Sequence, residues 1–398
     1  MGKSLAINAG SSTLKFKLFQ MPAEEVIAEG AIDRIGLGNS LVEIKYDNGQ
    51  KYETHEDVND HSAAIQLMLN QLTALKIITD FNEITGIGHR VVAGGQEFKD
   101  SAIIDDEVLQ KIKDLSEYAP LHNPAAALGI EAFKKILPNV LSVAVFDTSF
   151  HTSMPQENYM YAIPYEYYEK YGARKYGAHG TSHRYVAGRA AAMLGKPLKD
   201  LKLITMHLGA GGSITAIKDG KSFDTSMGFT PLAGIEMATR SGDIDASLVA
   251  YLMEKLNIDK PNDMINILNK KSGLIGVSGV SADMRDLEKV QAKNPRAKLA
   301  RDMFINRIVR YVGSYLAELG GADAIVFTAG VGENDIMIRQ EVADKLSYFG
   351  IGVDPEKNDI RGVERDLSVA GSKIKTLLIP TDEELMIVRD IERLRKNN

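Results

Sequence analysis

The sequence has no cysteine and no tryptophan in 398 residues. Without cysteine there is no disulfide framework, no thiolate nucleophile, no cysteine-ligated zinc or iron–sulfur centre and no thiol redox pair. Long hydrophobic runs are also missing, and no stretch approaches the ~18 apolar residues that would span a bilayer. The apolar run before Asn8 is too short for a signal peptide, and Ala6 stands where N-myristoylation needs Ser or Thr. These absences predict a soluble, cytoplasmic chain. Positive charge is not in excess: the formal net charge is −6, with no basic tract interleaved with aromatics. The expected partners therefore include neither nucleic acid nor membrane, and any anionic ligand must be held by local groups.

Glycine is plentiful, at 35 residues, in a globular balance of 44% hydrophobic and 25% charged side chains. At roughly 150 residues per domain the length gives two or three domains. Residues 5–7 read as a buried strand, 9–12 as a turn and 13–19 as a returning strand, in which Leu14, Phe16 and Leu18 alternate with Lys15 and Lys17. A helix is predicted over 62–75. Another begins at Asn123-Pro124, with Asn123 as N-cap and Pro at the first helical position, and stops before Pro138. Residues 141–146 read as a strand with Asp147 at its carboxyl end, where ligand residues collect in α/β sheets. The second half repeats the grammar: strand 201–207, glycine turn 209–212, strand 213–217. Residues 324–328 are a further strand, 330–334 a loop opening a helix, 374–379 the last strand, and a helix runs from Glu383. Strand, glycine turn and strand near the start of each half suggest a duplicated α/β domain.

Glycine turns let backbone N–H groups close on a phosphate because no Cβ blocks its approach. Three such turns stand at 9–12, 209–213 and 330–334, and each alone is more often an ordinary hairpin or helix entry. Two familiar nucleotide signatures fail. Gly220-Lys221-Ser222 mimics the end of a Walker A loop, but Thr215 occupies the required first glycine; the segment 207–214 places Ile214 at the third glycine of G-x-G-x-x-G. Lys15 lies just past the first tip, on the face opposite Leu14, Phe16 and Leu18. Arg90 and Arg240 sit in short polar segments suited to bidentate capture of carboxylate or phosphate. His179 and His183 have i, i+4 spacing, but Gly180 disfavours a helix there and the H-E-x-x-H glutamate is missing, so zinc is not expected.

Several segments in order resemble the acetate kinase family, in the superfamily that also holds sugar kinases, actin and heat-shock ATPases. They are residues 7–15 (INAGSSTLK), 88–95 (GHRVVAGG), 146–151 (FDTSFH), 176–183 (YGAHGTSH), 207–209, 327–334 (FTAGVGEN) and 380–384 (PTDEE). The resemblance covers essentially the whole chain. It implies two duplicated ribonuclease-H-like, actin-like ATPase domains flanking a catalytic cleft, one of 1–149 plus 383–398 and one of 150–382, the second carrying a homodimer interface. It implies reversible phosphoryl transfer from ATP to acetate, with Mg²⁺ or alternatively Mn²⁺. By similarity Arg90 binds the acetate carboxylate, with Val92, Leu121 and Pro231 around its methyl. His179 and Arg240 stabilise the transferring group, and Asp147, the family's catalytic aspartate, orients Arg or hydrated metal, since acetate has no proton to lose at neutral pH. Asn8 and Glu383 match the metal positions. Ser11, Lys15, His207, Leu208, Gly209, Ala210 and Gly211 match the phosphate-binding positions, and Asp283, Met284, Arg285, Gly330, Val331, Gly332, Glu333 and Asn334 the adenosine-binding ones.

The sequence departs from the family pattern at Ala93, Gln96, Ala178 and Ala210. Ala178 replaces a Phe common in the acetate pocket, which predicts room for one more methylene and propionate as a secondary substrate. A propionate or butyrate kinase is the alternative within the family. An ATPase switch of the superfamily would need neither Arg90 nor the His179 and Arg240 pair.

Overall fold

The computed structural model describes residues 2–47, 49–120 and 122–396. Contacts divide the chain into two compact units, one running to Ser149 and resuming at Asp382, the other Phe150–Thr381. Asp382 belongs with the first unit because its carboxylate accepts from Leu385 N (3.0 Å), capping the helix Glu383–Lys396.

The first unit holds β1 (Gly2–Ala9), β2 (Thr13–Met21), β3 (Glu25–Asp33), β4 (Ser40–Tyr46), β5 (Gln50–Glu56), β6 (Ile84–Val91), β7 (Ala102–Ile103) and β8 (Leu141–Phe146), in the order β5-β4-β3-β2-β1-β6-β8-β7. The second holds β9 (Lys202–Leu208), β10 (Gly212–Lys218), β11 (Lys221–Thr225), β12 (Ala324–Thr328), β13 (Arg365–Asp366) and β14 (Lys375–Leu378), ordered β11-β10-β9-β12-β14-β13. The two sheets have the same central pairing pattern. β1 pairs antiparallel with β2 and parallel with β6, which pairs parallel with β8; β9 pairs antiparallel with β10 and parallel with β12, which pairs parallel with β14. The repeated grammar of the sequence is thus a repeated topology.

Both central strands are buried on both faces, as parallel neighbours require. Leu5 and Ile7 of β1 join the core beneath the helices His61–Ala74 and Asn123–Ile136, while the intervening Ala6 joins Ile387, Val388 and Ile391 of the helix Glu383–Lys396. In the second unit Ile204, Met206 and Leu208 meet the helix Pro295–Leu319, and Leu203 meets the helix Gly180–Leu194. The helix Glu383–Lys396 reaches its seat through Gly86 and Gly88 of β6. A Cβ on either would stand 2.4 Å from Ile391 Cγ2 or 2.2 Å from Ile387 Cγ2. Among the described residues no helix is long and apolar enough to cross a membrane.

Three local expectations are corrected. Asn123 is the first helical residue rather than the cap, which is His122; its fully buried side chain is committed elsewhere. The segment 330–334 is not a loop but lies in a helical turn, Ala329–Asn334, entered through Ala329 at φ 62°. Gly180 does not break a helix but begins one, with His179 at its N-cap in the left-handed region (φ 56°). Glycine at the first helical position costs little, because helix propensity acts mainly on interior residues.

Candidate active site

Each unit carries its own cluster of polar groups at the carboxyl ends of its central strands. In the first, β6 and β8 run parallel with Arg90 beside Val145, so Arg90 near the end of β6 and Asp147 just past β8 come together. Asp147 is almost wholly buried. Its oxygens accept from Arg90 Nε (3.1 Å to each) and Nη2 (2.8 Å). This bidentate pairing uses one edge of the guanidinium and leaves the Nη1 side for a second anion. Glu383 Oε2 lies 3.8 Å from Arg90 Nε. Burial pushes the Glu383 carboxyl up to about 7, with Asp147 and Glu384 adding to the rise and Arg90 opposing it. A carboxyl so raised is short of positive charge. Lys17 reaches Asp382 (3.5 Å) and Glu384 (3.7 Å) of the same acidic run.

The segment after β6 is held from outside. Asn123 accepts from Ala93 N (3.0 Å) and donates to Ala93 O (2.9 Å), and Gly94 N donates to Thr148 Oγ1 (2.9 Å). Val92 is left partly exposed beside these anchors. Leu121 lies outside the described residues. At the β1–β2 tip His61 Nε2 bonds Gly10 O (2.7 Å), and Ser11 and Lys15 are exposed. Asn8, opposite Lys15 in the hairpin register, is partly exposed.

In the second unit the β9–β10 turn closes when Gly209 N donates to Gly211 O (3.0 Å). Two candidate side chains converge over it. His179 Nε2 and Arg240 Nη1 each lie 3.5 Å from where a Cβ on Gly211 would stand, and His207 Nε2 lies 3.9 Å from the corresponding point at Gly209. Glycine keeps that space clear for a ligand. The Arg240 head is fixed by donation to Pro231 O (3.1 Å), and burial lowers its pKa. The His179 and His207 rings stack at 4.1 Å. Behind them His183 is fully buried, and desolvation drives its pKa well below the usual imidazole range. His183 bonds Thr205 Oγ1 and Ser213 Oγ, both at 2.7 Å, so its nitrogens are taken up by hydroxyls.

The segment Ala329–Asn334 is built from below by Arg339, a buried arginine that donates to the carbonyls of Gly332 (3.0 Å), Glu333 (2.9 Å), Asn358 (2.9 Å) and Ile360 (2.7 Å). Asn334 Nδ2 donates to Gly330 O, and Glu333 Oε1 accepts from Thr381 N (3.1 Å). Thr381 Oγ1 meets Ser182 Oγ (2.7 Å), which in turn meets His207 Nδ1 (2.8 Å). The expected adenosine segment is thereby tied to the phosphate turn. Asp283 caps the helix Met284–Val290 and pairs with exposed Arg285 (2.6 Å), which lowers Asp283 to about 2. Met284 and Leu208 point into the core, so only their backbones can meet a ligand.

Ala178 lies in the second unit. It is buried against Met227 and Met237, both fully buried, so these two side chains line the space beside it. Among the described residues no three His, Asp or Glu side chains gather closely enough to hold a metal by themselves. Sequence reasoning missed Asn123, Thr205, Ser213, Ser182 and Arg339, which touch the candidate groups from neighbouring elements of the fold.

The family model for the acetokinase family matches residues 3–389. The chain is 65% identical to the acetate kinase of Fructilactobacillus sanfranciscensis, over 99% of each chain, and 54% identical to that of Bacillus subtilis strain 168, over the whole of both. Among solved structures it is similar to the acetate kinase of Porphyromonas gingivalis (TM-score 0.94, 42% identity, 99% of each chain). It is also similar to a propionate kinase from Francisella tularensis (TM-score 0.92, 40% identity, 98% and 99%).

Proposed function

The chain belongs to the acetokinase family, and from that premise we propose how its two clusters share one reaction. The enzyme transfers the γ-phosphoryl of ATP reversibly to acetate, giving acetyl phosphate and ADP, and uses a divalent metal. Arg90, with its Nη1 side open beyond Asp147, binds the acetate carboxylate. Asp147 holds that guanidinium in place and removes no proton, because acetate is already ionised. His179 and Arg240 meet the equatorial oxygens of the transferring phosphoryl group, and the glycine turn with Lys15 and His207 holds the rest of the phosphate chain. Catalysis here is positioning and charge compensation around a group passing between two anions. The observation that carries these roles is the convergence of His179 Nε2 and Arg240 Nη1 over Gly211.

The metal we propose is Mg²⁺, which keeps several waters and needs few protein oxygens. The charge-starved Glu383 carboxyl and the side-chain oxygen of Asn8 fit that role, and the bound ion would offset charge on the phosphates. Adenosine rests on Gly330, Val331, Gly332, Glu333 and Asn334, with Asp283, Met284 backbone and Arg285. We assign the catalytic domains as 1–149 with 382–398, and 150–381, the boundary moved by one residue to Asp382, and place the enzyme in the cytoplasm as a homodimer. Support for the dimer comes from the helix Ala246–Leu256. It buries none of its residues and exposes Leu248, Tyr251 and Leu256, an apolar face suited to a second copy.

The test is hydroxylamine-trapped acyl phosphate formed from ATP with acetate, propionate or butyrate. Acetate should give the highest kcat/KM. A higher value for a longer acid, or ATP hydrolysis without acyl phosphate, would overturn the assignment.

A further inference from the structure

Four side chains behind the phosphate turn form a continuous line: Thr205 Oγ1 to His183 Nδ1 (2.7 Å), His183 Nε2 to Ser213 Oγ (2.7 Å), and Ser213 Oγ to His179 Nδ1 (2.9 Å). Ser213 has one hydroxyl proton and stands between two imidazole nitrogens, so it donates to one and accepts from the other. With both rings neutral, only two orders exist. In the first, Thr205 donates to His183 Nδ1, His183 Nε2–H donates to Ser213, and Ser213 donates to His179 Nδ1, which leaves the His179 proton on Nε2. In the second every bond is reversed, and His179 Nε2 carries a lone pair.

The same ring faces Gly211 together with Arg240 Nη1 and stacks on His207. Phosphoryl oxygens accept hydrogen bonds and cannot donate them, so a lone pair at Nε2 would be repelled just where charge must be stabilised. Left to itself, a neutral ring beside the Arg240 donors would turn that lone pair toward them.

Thr205 is fully buried and its hydroxyl has His183 Nδ1 as its one hydrogen-bond partner among the described residues, so in the second order its proton would be left without an acceptor, and the first order is selected. We propose that Thr205, His183 and Ser213 form a tautomer lock that keeps the proton of neutral His179 on Nε2, so that it donates to the transferring phosphoryl group without being protonated first. Ser213 and His183 are positioning residues, and the proposal rests on His179 meeting that group. Burial holds His183 and His151 neutral, and the His151 ring lies 5.8 Å from His183, so the lock is not short-circuited by a charged neighbour behind it. His207, bonded to Ser182, and Arg240 remain in place when Ser213 is changed.

The experiment is the pH dependence of kcat between pH 6 and 9 for the full-length enzyme, Ser213→Ala and Thr205→Val. Without the hydroxyl, a donor at Nε2 is guaranteed only in the imidazolium, which has N–H on both nitrogens. Ser213→Ala should therefore lose about tenfold or more in kcat at pH 8 and regain most of it near pH 6, with both KM values within about twofold. Thr205→Val should show a smaller loss of the same shape. Equal fractional losses at every pH would overturn the lock, because a purely structural defect does not follow imidazole protonation. Should Ser213→Ala not fold, two-bond ¹H–¹⁵N spectra of the ¹⁵N-histidine-labelled wild type with ADP and acetate decide. Neutral His179 protonated at Nε2 supports the lock, and protonation at Nδ1 or an imidazolium overturns it. A wild type that makes no acyl phosphate would fail the functional assignment instead, and the spectra still report the tautomer.

Discussion

The two units share the order of six strands, to which the first adds β4 and β5, yet solve the problem of placing polar groups inside a protein in opposite ways. The first gathers formal charges: Arg90 against Asp147 and Glu383, and Lys17 against Asp382 and Glu384. The second gathers imidazoles and hydroxyls, His183, His179 and His207 joined through Ser213, Thr205 and Ser182, with Arg240 as the cation at the turn. Charged pairs hold geometry by attraction and leave a net charge for a substrate or metal to answer. Neutral hydrogen-bonded chains hold geometry by proton order and leave a donor or a lone pair at their end.

Breaking the second cluster at its charged end should have the largest effect. Arg240→Ala is expected to lower kcat by ~10² or more, about 3 to 4 kcal/mol of transition-state stabilisation, with little change in the KM for ATP. An unchanged kcat with a raised KM would place Arg240 in ground-state binding only. In the first cluster, Asp147→Asn keeps the volume but loosens the Arg90 clamp. A charge-assisted hydrogen bond is worth about 1.5 to 3 kcal/mol, so kcat/KM for acetate should fall roughly ten- to hundredfold, mostly through KM. A loss confined to kcat would give Asp147 a direct part in the transfer.

Each unit also buries a neutral histidine, which offers a comparison in stability. Burial lowers His89 of the first unit to about 3 and His151 of the second to about 4. The unfolded chain takes up these protons near 6.5, so stability is full above that pH and is lost as the pH falls toward 4 and 3. The slope is up to about 1.4 kcal/mol per pH unit for each. Urea midpoints measured from pH 7 to 5 should drop for the wild type and drop less for His89→Leu; equal slopes would mean His89 is not held neutral. The smallest effect concerns specificity. Met237→Ala should open space beside Ala178, and one methylene is worth about 0.8 kcal/mol. The propionate to acetate ratio of kcat/KM should rise about fourfold, and an unmoved ratio would separate Met237 from the acid pocket.

Much of this was legible in the sequence, and the reason is periodicity. Leu14, Phe16 and Leu18 against Lys15 and Lys17 mark a half-buried hairpin wherever they occur, and the strand at 141–146 is simply apolar. The acidic and basic groups of the first cluster announce themselves because charged residues beside buried strands are unusual. The second cluster hides better. Ser213 and Thr205 are ordinary strand residues by composition, and only the pairing of β9 with β10 and the left-handed turn at His179 bring them to the imidazoles. Asn123 looked like a helix cap because Asn-Pro usually is one; tertiary bonds to Ala93 took its side chain instead. The helical turn at Ala329–Asn334 runs against its glycine content, and Arg339 ties its carbonyls to those of Asn358 and Ile360, which lie further along the chain.

Gly86 and Gly88 have one more consequence, and it concerns the ribosome. The groove they leave on β6 is filled by Ile391 and Ile387, which are translated after the whole of Phe150–Thr381. A nascent chain can complete the second unit's sheet while the first still shows an unfilled apolar seam. The helix that closes the seam also carries Glu383 into place beside Arg90. Completion of the first unit and arrival of the carboxylate beside Arg90 are therefore one event, which waits on residues that follow Phe150–Thr381 in the chain.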